Sequence, residues 1–253
     1  MKILAHLSEH VAGFSKPCKD AGHEWIWWED GVAAFDIFDH HQPDMAFLDQ
    51  KMIDGATFKR IAEYENGLPL IIAQEVGIDL NFHITNKAPN TTFHGITVPA
   101  VVDTNTFYKD DPDPDMACDI AIVCEPNEAL RPLLFPVGKY NVRIYGPRWI
   151  NTIQYVGNIA VDEMRRLYAS AKIVCVDSAN EAVRVTACGG VAVSMNKDVD
   201  ASLGEAFYVE SIESSLEEST ASQEERRKKQ QEVIKPLTCE NILEQLKSKG
   251  LKI

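Results

Sequence analysis

Three groups of residues in this 253-residue chain have types and spacings that could do chemistry. Asn180-Glu181-x-x-Arg184 opens a helix directly after the apolar run KIVCVDS. A helix N-terminus presents unpaired N–H groups, which attract an anion. A capping role for Ser178 and Asn180 is the competing reading. A second group is Ser8, Glu9 and His10, which follow the first apolar run, with Glu75 after LPLIIAQ. Glu9, His10 or Glu75 could take a proton from a hydroxyl or orient it. The alternative for each is a solvated polar loop residue. All seven histidines lie between His6 and His94. The third group is the alternating carboxylates of Asp111-Pro112-Asp113-Pro114-Asp115. Such spacing could suit a metal, but it sits in a Pro-stiffened stretch ahead of a strand, so a metal role is set aside. His40-His41 is read as surface, since neighbours on a strand do not easily share one metal.

These groups need elements to position them. MKILAHL, HEWIWWE, MAFLD and LPLIIAQE read as strands, and GATFKRIAEYENG as a helix stopped by Gly67. GITVPAVVD is a shorter apolar run. Residues 103–117 are charged, Pro-containing and poor in aliphatics, as in a linker. A second series follows. CDIAIVCE, YNVRIYGP, IQYVG, KIVCVDS and VAVSM read as strands, and EALRPLLFPVG, VDEMRRLYASA and EAVRVTACGG as helices. Strands alternating with helices predict parallel sheets with right-handed crossovers. The expectation is α/β, with two Rossmann-like lobes whose sheets face a central cleft. Lobe boundaries fall at 1–103 and 104–235. Residues 211–234 read as one charged helix ended by Pro236. Residues 236–253 form a last amphipathic helix, possible to pack back on the first lobe.

Composition narrows the function classes. Net charge is −13, with an acidic excess in the first lobe, which disfavours generic nucleic-acid binding. The basic run Arg226-Arg227-Lys228-Lys229 follows acidic residues closely and reads as a solvated helix face. Apolar residues make up 45% and mean hydropathy is −0.18, as expected for a soluble chain with a core. No apolar run approaches the ~18–20 residues of a membrane span, and the start has no signal-peptide pattern. A cytoplasmic protein is expected. The six cysteines form no C-x-x-C or zinc-like spacing and read as reduced core residues.

Several pieces of the second half fall in a recognisable order. They are VPAVVDTNTFYKDD, CDIAIV, NVRIYGPRW, YVGNIAVDEMRRLYASAKIVCV, RVTACGGVAVS and QEERRKKQQEVIKPLTCENILEQL, across residues 98–246. This order resembles the spore-maturation (CgeB-type) glycosyltransferase-like proteins, relatives of GT-B enzymes. Two departures stand out. The turn after CDIAIV reads Cys124-Glu125-Pro126-Asn127 where the family often has glycine. Arg184 occupies the place, six residues before Gly190, where the family usually has a ribose-binding Glu; Glu181 lies one turn earlier.

The resemblance implies a metal-independent transfer of a hexose or pentose from a UDP- or GDP-sugar to a hydroxyl. The nucleotide sugar is a substrate, and no cofactor is expected. Helix N-termini and basic residues would steady the leaving diphosphate. On this reading Glu125, Asn127, Arg131, Gly146, Arg148, Tyr155, Gly157, Asn180, Glu181 and Arg184 contact the donor. Arg131 could reach a phosphate, Arg148 lies near the expected nucleobase, and Tyr145 or Tyr155 could stack on it. Surface, turn or core roles compete at each position. The first lobe would bind the acceptor, a protein, glycan, small molecule or modified DNA base, with Glu9, His10 or Glu75 as base. Two other readings remain open: a catalytically inactive relative that binds nucleotide sugars or serves in interactions, and another two-lobed enzyme such as a nucleotide-sugar epimerase.

Overall fold

The computed structural model describes residues 1–7, 9–28, 34–49, 70–73, 78–80, 96–98, 100–123, 139–145, 155–157 and 159–248. It is an α/β structure with two parallel sheets, divided into two compact units. Unit 1 joins Met1–Asn105 to Leu237–Ile253, and unit 2 is Thr106–Pro236.

Unit 1 contains β1 (Lys2–His6), α1 (Glu9–Ala12), α2 (Ser15–Asp20), β2 (Glu24–Trp28), α3 (Ala34–His41), β3 (Met45–Asp49) and β4 (Leu70–Ala73). Its sheet runs β2-β1-β3-β4, all parallel. Successive residues of β1 and β3 are buried, so both faces are covered and the strands read as unbroken apolar runs. Gln42 adopts φ 45° after α3, and Pro43 prevents its continuation. Asp44 then accepts the Lys2 N–H at 2.8 Å, fixing the entry to β3 beside β1. β5 (Ile78–Leu80) and β6 (Ile96–Val98) form an antiparallel pair that the pattern of parallel strands does not anticipate.

Unit 2 contains β7 (Cys118–Val123), β8 (Val142–Tyr145), β9 (Tyr155–Gly157), α4 (Val161–Ser170), β10 (Ala171–Cys175), α5 (Ala179–Ala187), β11 (Ala192–Val193), α6 (Lys197–Leu203), α7 (Ile212–Glu217) and α8 (Thr220–Ile234). Its order is β11-β10-β7-β8-β9, again all parallel. Ile120 and Ile122, Val142 and Ile144, and Ile173 and Cys175 recur at period two and share one core with Val209, Ile212 and Leu216. Each such aliphatic side chain contributes about 1.5–3 kcal/mol by leaving water.

The edge strand β11 is closed by a side chain. Gln230 of α8 is fully buried. Its Oε1 accepts the Ala192 N–H at 3.2 Å, and its Nε2 donates to the carbonyls of Ala192 at 2.5 Å and Ala206 at 2.9 Å. The charged tail differs from the single expected helix. It breaks at Glu218, whose backbone is extended, because Ser219 caps α8 by accepting the Ser222 N–H at 3.2 Å. The basic run lies on α8, where Arg226 pairs with Glu218 at 2.5 Å, Arg227 with Glu224 at 2.5 Å and Lys229 with Glu225 at 3.0 Å. The last helix, α9 (Cys239–Ser248), belongs to unit 1. Val102 donates to the Leu237 carbonyl at 3.0 Å, and Cys239 donates to the Val102 carbonyl at 3.2 Å.

Cys18, Cys118, Cys175, Cys188 and Cys239 are free and buried. Burial pushes the Cys18, Cys175 and Cys188 thiols up to about 12 and Cys118 to about 11, and it raises Cys239 as well. Unfolded thiols ionise near their ordinary value, whereas these hold their protons through that range. Their contribution to stability therefore falls as pH rises from about 9 through about 11–12. In the native state at pH 8, these five should react with a disulfide reagent on the order of a hundredfold more slowly than in denaturant. Thiol titration with and without guanidinium measures this.

Candidate functional site

Open parallel sheets bind ligands beyond their carboxyl ends, where strand order reverses direction. In unit 2 that switch point lies between β7 and β10: the chain proceeds from β7 outward to β9, then returns to β10 on the other side. α5 starts directly beyond β10. Val176 donates to the Val193 carbonyl at 3.0 Å, extending the β10–β11 pairing by a residue. The backbone remains extended at Ser178, whose Oγ accepts the Glu181 N–H at 3.2 Å and caps α5. The next turn is tied to this one. Asn196 donates from Nδ2 to the Asp177 carbonyl at 2.9 Å, while its Oδ1 accepts the Asp198 N–H at 2.9 Å and caps α6. Two helix starts thus stand side by side at the carboxyl edge.

Asn180 and Glu181 occupy the first turn of α5, where the helix dipole favours a carboxylate. Glu181 is held on both oxygens. Its Oε1 accepts the hydroxyl of the fully buried Tyr168, and its Oε2 lies 3.4 Å from Arg184 Nη1. Burial first, and then the Glu181 charge, raises the Tyr168 hydroxyl well above its ordinary value, so it stays a donor. The Arg184 guanidinium also lies 5.1 Å over the Phe107 ring. Glu181 and Arg184 share one helix face as i and i+3 neighbours. Their side chains keep 15% and 22% of their exposure, so a solute can reach both.

The closing glycines of α5 also have physical reasons. Gly189 takes φ +86° to end the helix. A Cβ on Gly190 would stand 2.5 Å from the Tyr168 carbonyl oxygen, so α5 and α4 approach closely only without a side chain there. Residues 106–113 are strapped to α4. Arg165 donates to the Thr106 carbonyl at 3.1 Å, lies 4.3 Å over the Tyr108 ring and pairs with Asp162 at 2.7 Å. Asp113 accepts the Asp115 N–H at 2.9 Å, capping the short 3-10 turn Pro114–Met116, and pairs with Arg166 at 3.3 Å. The alternating aspartates thus contribute to a fold joint.

Of the other expected site residues, Glu9 and His10 begin α1, just past the carboxyl end of β1. Tyr155 and Gly157 bound β9, the edge strand of the second sheet, and Gly157 pairs with Tyr145. Tyr145 is buried at the end of β8. Glu75, Glu125, Asn127, Arg131, Gly146 and Arg148 lie outside the described residues. Among the described residues, no group of three or more His, Cys, Asp or Glu side chains is placed to hold a metal ion.

Sequence reasoning missed a polar pair at the switch point of unit 1, which lies between β1 and β3. His6 ends β1 and Asp49 ends β3, and both are buried. Asp49 donates its N–H to His6 Nδ1 at 3.0 Å, and the His6 ring packs on Trp28 with centroids 4.5 Å apart. Accepting at Nδ1 fixes the ring in its neutral form with the proton on Nε2. The available signal was a polar residue closing each of two apolar runs.

No protein-family model matches the chain, and no curated protein matches it by sequence. Solved structures do match its fold. One is described as a UDP-N-acetylglucosamine 2-epimerase from Listeria monocytogenes, at TM-score 0.59 and 9% identity, covering 98% of this chain and 95% of that one. Another is the glycosyltransferase SsfS6 from Streptomyces sp. SF2575, at TM-score 0.55 and 11% identity, with 98% and 99% covered. A third is a glycosyltransferase from Rickettsia africae, at TM-score 0.53 and 11% identity, with 98% of each covered. At such identities the likeness establishes the fold, which is GT-B-like with two Rossmann-like units. No helix among the described residues is long and apolar enough to cross a membrane.

Proposed function

We propose that this chain is a metal-independent glycosyltransferase of the CgeB type, binding a UDP- or GDP-sugar at the switch point of unit 2. The observation that carries this reading is Glu181, a reachable carboxylate on the first turn of the helix that follows β10. A carboxylate there suits the hydroxyls of a ribose, and the adjoining N–H groups suit a diphosphate. Glu125, Asn127, Arg131, Gly146, Arg148, Tyr155, Gly157 and Asn180 are the further candidates for donor contact. The transfer forms a bond from the acceptor oxygen to the anomeric carbon and breaks the bond from that carbon to the diphosphate. The diphosphate leaves with the electron pair, and the acceptor proton passes to a base, for which Glu9, His10 and Glu75 are the candidates. The acceptor is a hydroxyl of a protein, glycan, small molecule or modified DNA base, and the protein works in the cytoplasm.

A panel of UDP- and GDP-sugars, scored for donor hydrolysis and for thermal shift, tests the reading. Glu181→Gln should weaken nucleotide binding on the order of tenfold, the worth of a hydrogen bond to a charged group. A panel with no shift from either nucleotide would remove donor binding altogether. A second reading, a catalytically inactive nucleotide-sugar-binding or interaction module, is favoured by the engagement of Glu181 with Arg184 at the position where the family has a carboxylate. Binding without hydrolysis or transfer would select it.

A further inference from the structure

We propose that Tyr168 and Arg184 are positioning residues that hold the Glu181 carboxylate in one orientation toward the ribose of a bound nucleotide. This role rests on the donor reading above and adds residues to it. The terminal torsion of a glutamate is broad, so an unsupported carboxylate samples many directions. Here two side chains restrain it, one on each oxygen. Tyr168 comes from α4, is fully buried and directs its hydroxyl to Oε1. Arg184 comes from the next turn of α5 and reaches Oε2 at 3.4 Å. Arg184 is itself seated over Phe107, so its direction is also set from outside α5.

The arrangement differs from a plain surface ion pair in its buried third member. A pair spaced i, i+3 on an exposed helix contributes little and needs no buried phenol. Tyr168 instead places a hydroxyl in the interior, where it needs a partner, and its partner is the carboxylate at the carboxyl edge of the sheet. A carboxylate accepts up to about four hydrogen bonds, and contacts on both oxygens, from Tyr168 and Arg184, fix its plane. Fixing that plane beforehand removes an ordering loss from nucleotide binding. On this account Arg184, which takes the place of the family's Glu, orients the Glu181 carboxylate that stands in for it.

The test compares UDP with 2′-deoxy-UDP and GDP with 2′-deoxy-GDP, by titration calorimetry on the full chain. The wild type should prefer the ribose form of its nucleotide on the order of tenfold, and Glu181→Gln should erase that preference. Tyr168→Phe keeps the ring and should cut the preference to about twofold to threefold, with inorganic pyrophosphate binding unchanged. Arg184→Gln should move in the same direction. A Tyr168→Phe variant and an Arg184→Gln variant that both keep the full preference, while Glu181→Gln loses it, would overturn the positioning role and leave the donor reading standing. A wild type that binds ribose and deoxyribose forms equally would likewise overturn the positioning role alone, whereas one that binds neither nucleotide would overturn the donor reading as well.

Discussion

Replacing Gly190 with valine is expected to destabilise unit 2 by about 3 kcal/mol or more, in the range of severe overpacking. The added Cβ would stand 2.5 Å from the Tyr168 carbonyl oxygen and 2.9 Å from Val185 Cγ1. Val185 can shift a methyl group, but the Tyr168 carbonyl is part of α4 and cannot move alone. The substitution therefore has to separate α4 from α5. That would also pull the Tyr168 hydroxyl away from Glu181, so on the proposed function the variant should lose nucleotide binding before it loses fold. Thermal unfolding and a nucleotide titration on the same sample measure both effects. Gly190→Ala should lie between the two proteins in each.

The second large effect is expected at Gln230. Gln230→Leu keeps a similar volume but leaves the Ala192 N–H and two carbonyls without their partner. Each buried group left unpaired costs about 1–3 kcal/mol, so a total near 3 kcal/mol is expected, read from the urea midpoint. Gln230→Glu should be at least as damaging, because a carboxylate beside those carbonyl oxygens supplies no N–H. The loss would fall on one edge of the sheet, so amide exchange should accelerate first at β11 and the adjoining turn of α8.

The two residues differ in how readable they are. The A-C-G-G turn announces a helix stop, and Gly189 with φ +86° supplies it. Gly190 needs no unusual backbone; its reason is the approach of α4, which sequence spacing does not display. Gln230 sits in a run of polar residues with no apolar rhythm, so nothing in its neighbourhood marks it as buried. Strands such as β7 and β10 were legible because their apolar runs are long enough to show burial. β5, with three residues, was too short to register. The placement of Asn180, Glu181 and Arg184 on a helix was legible because a helix start directly after a strand is a local pattern. His6 and Asp49 were passed over because their importance depends on which strands are neighbours. Pairing of β1 with β3 places them together, and strand order is a long-range property.

The return of the chain to unit 1 at Leu237 sets an order of events during synthesis. Unit 2 is one uninterrupted stretch, so every residue it needs has been made by Pro236. Unit 1 begins first but lacks α9, whose Ile242, Leu243 and Leu246 are buried against it. The older unit must therefore wait, with part of its apolar surface uncovered, until the younger one has been translated. At roughly 5–20 residues per second the wait lasts several seconds or more. A nascent chain halted just before Leu237 should accordingly carry a finished second unit and a first unit that chaperones still recognise.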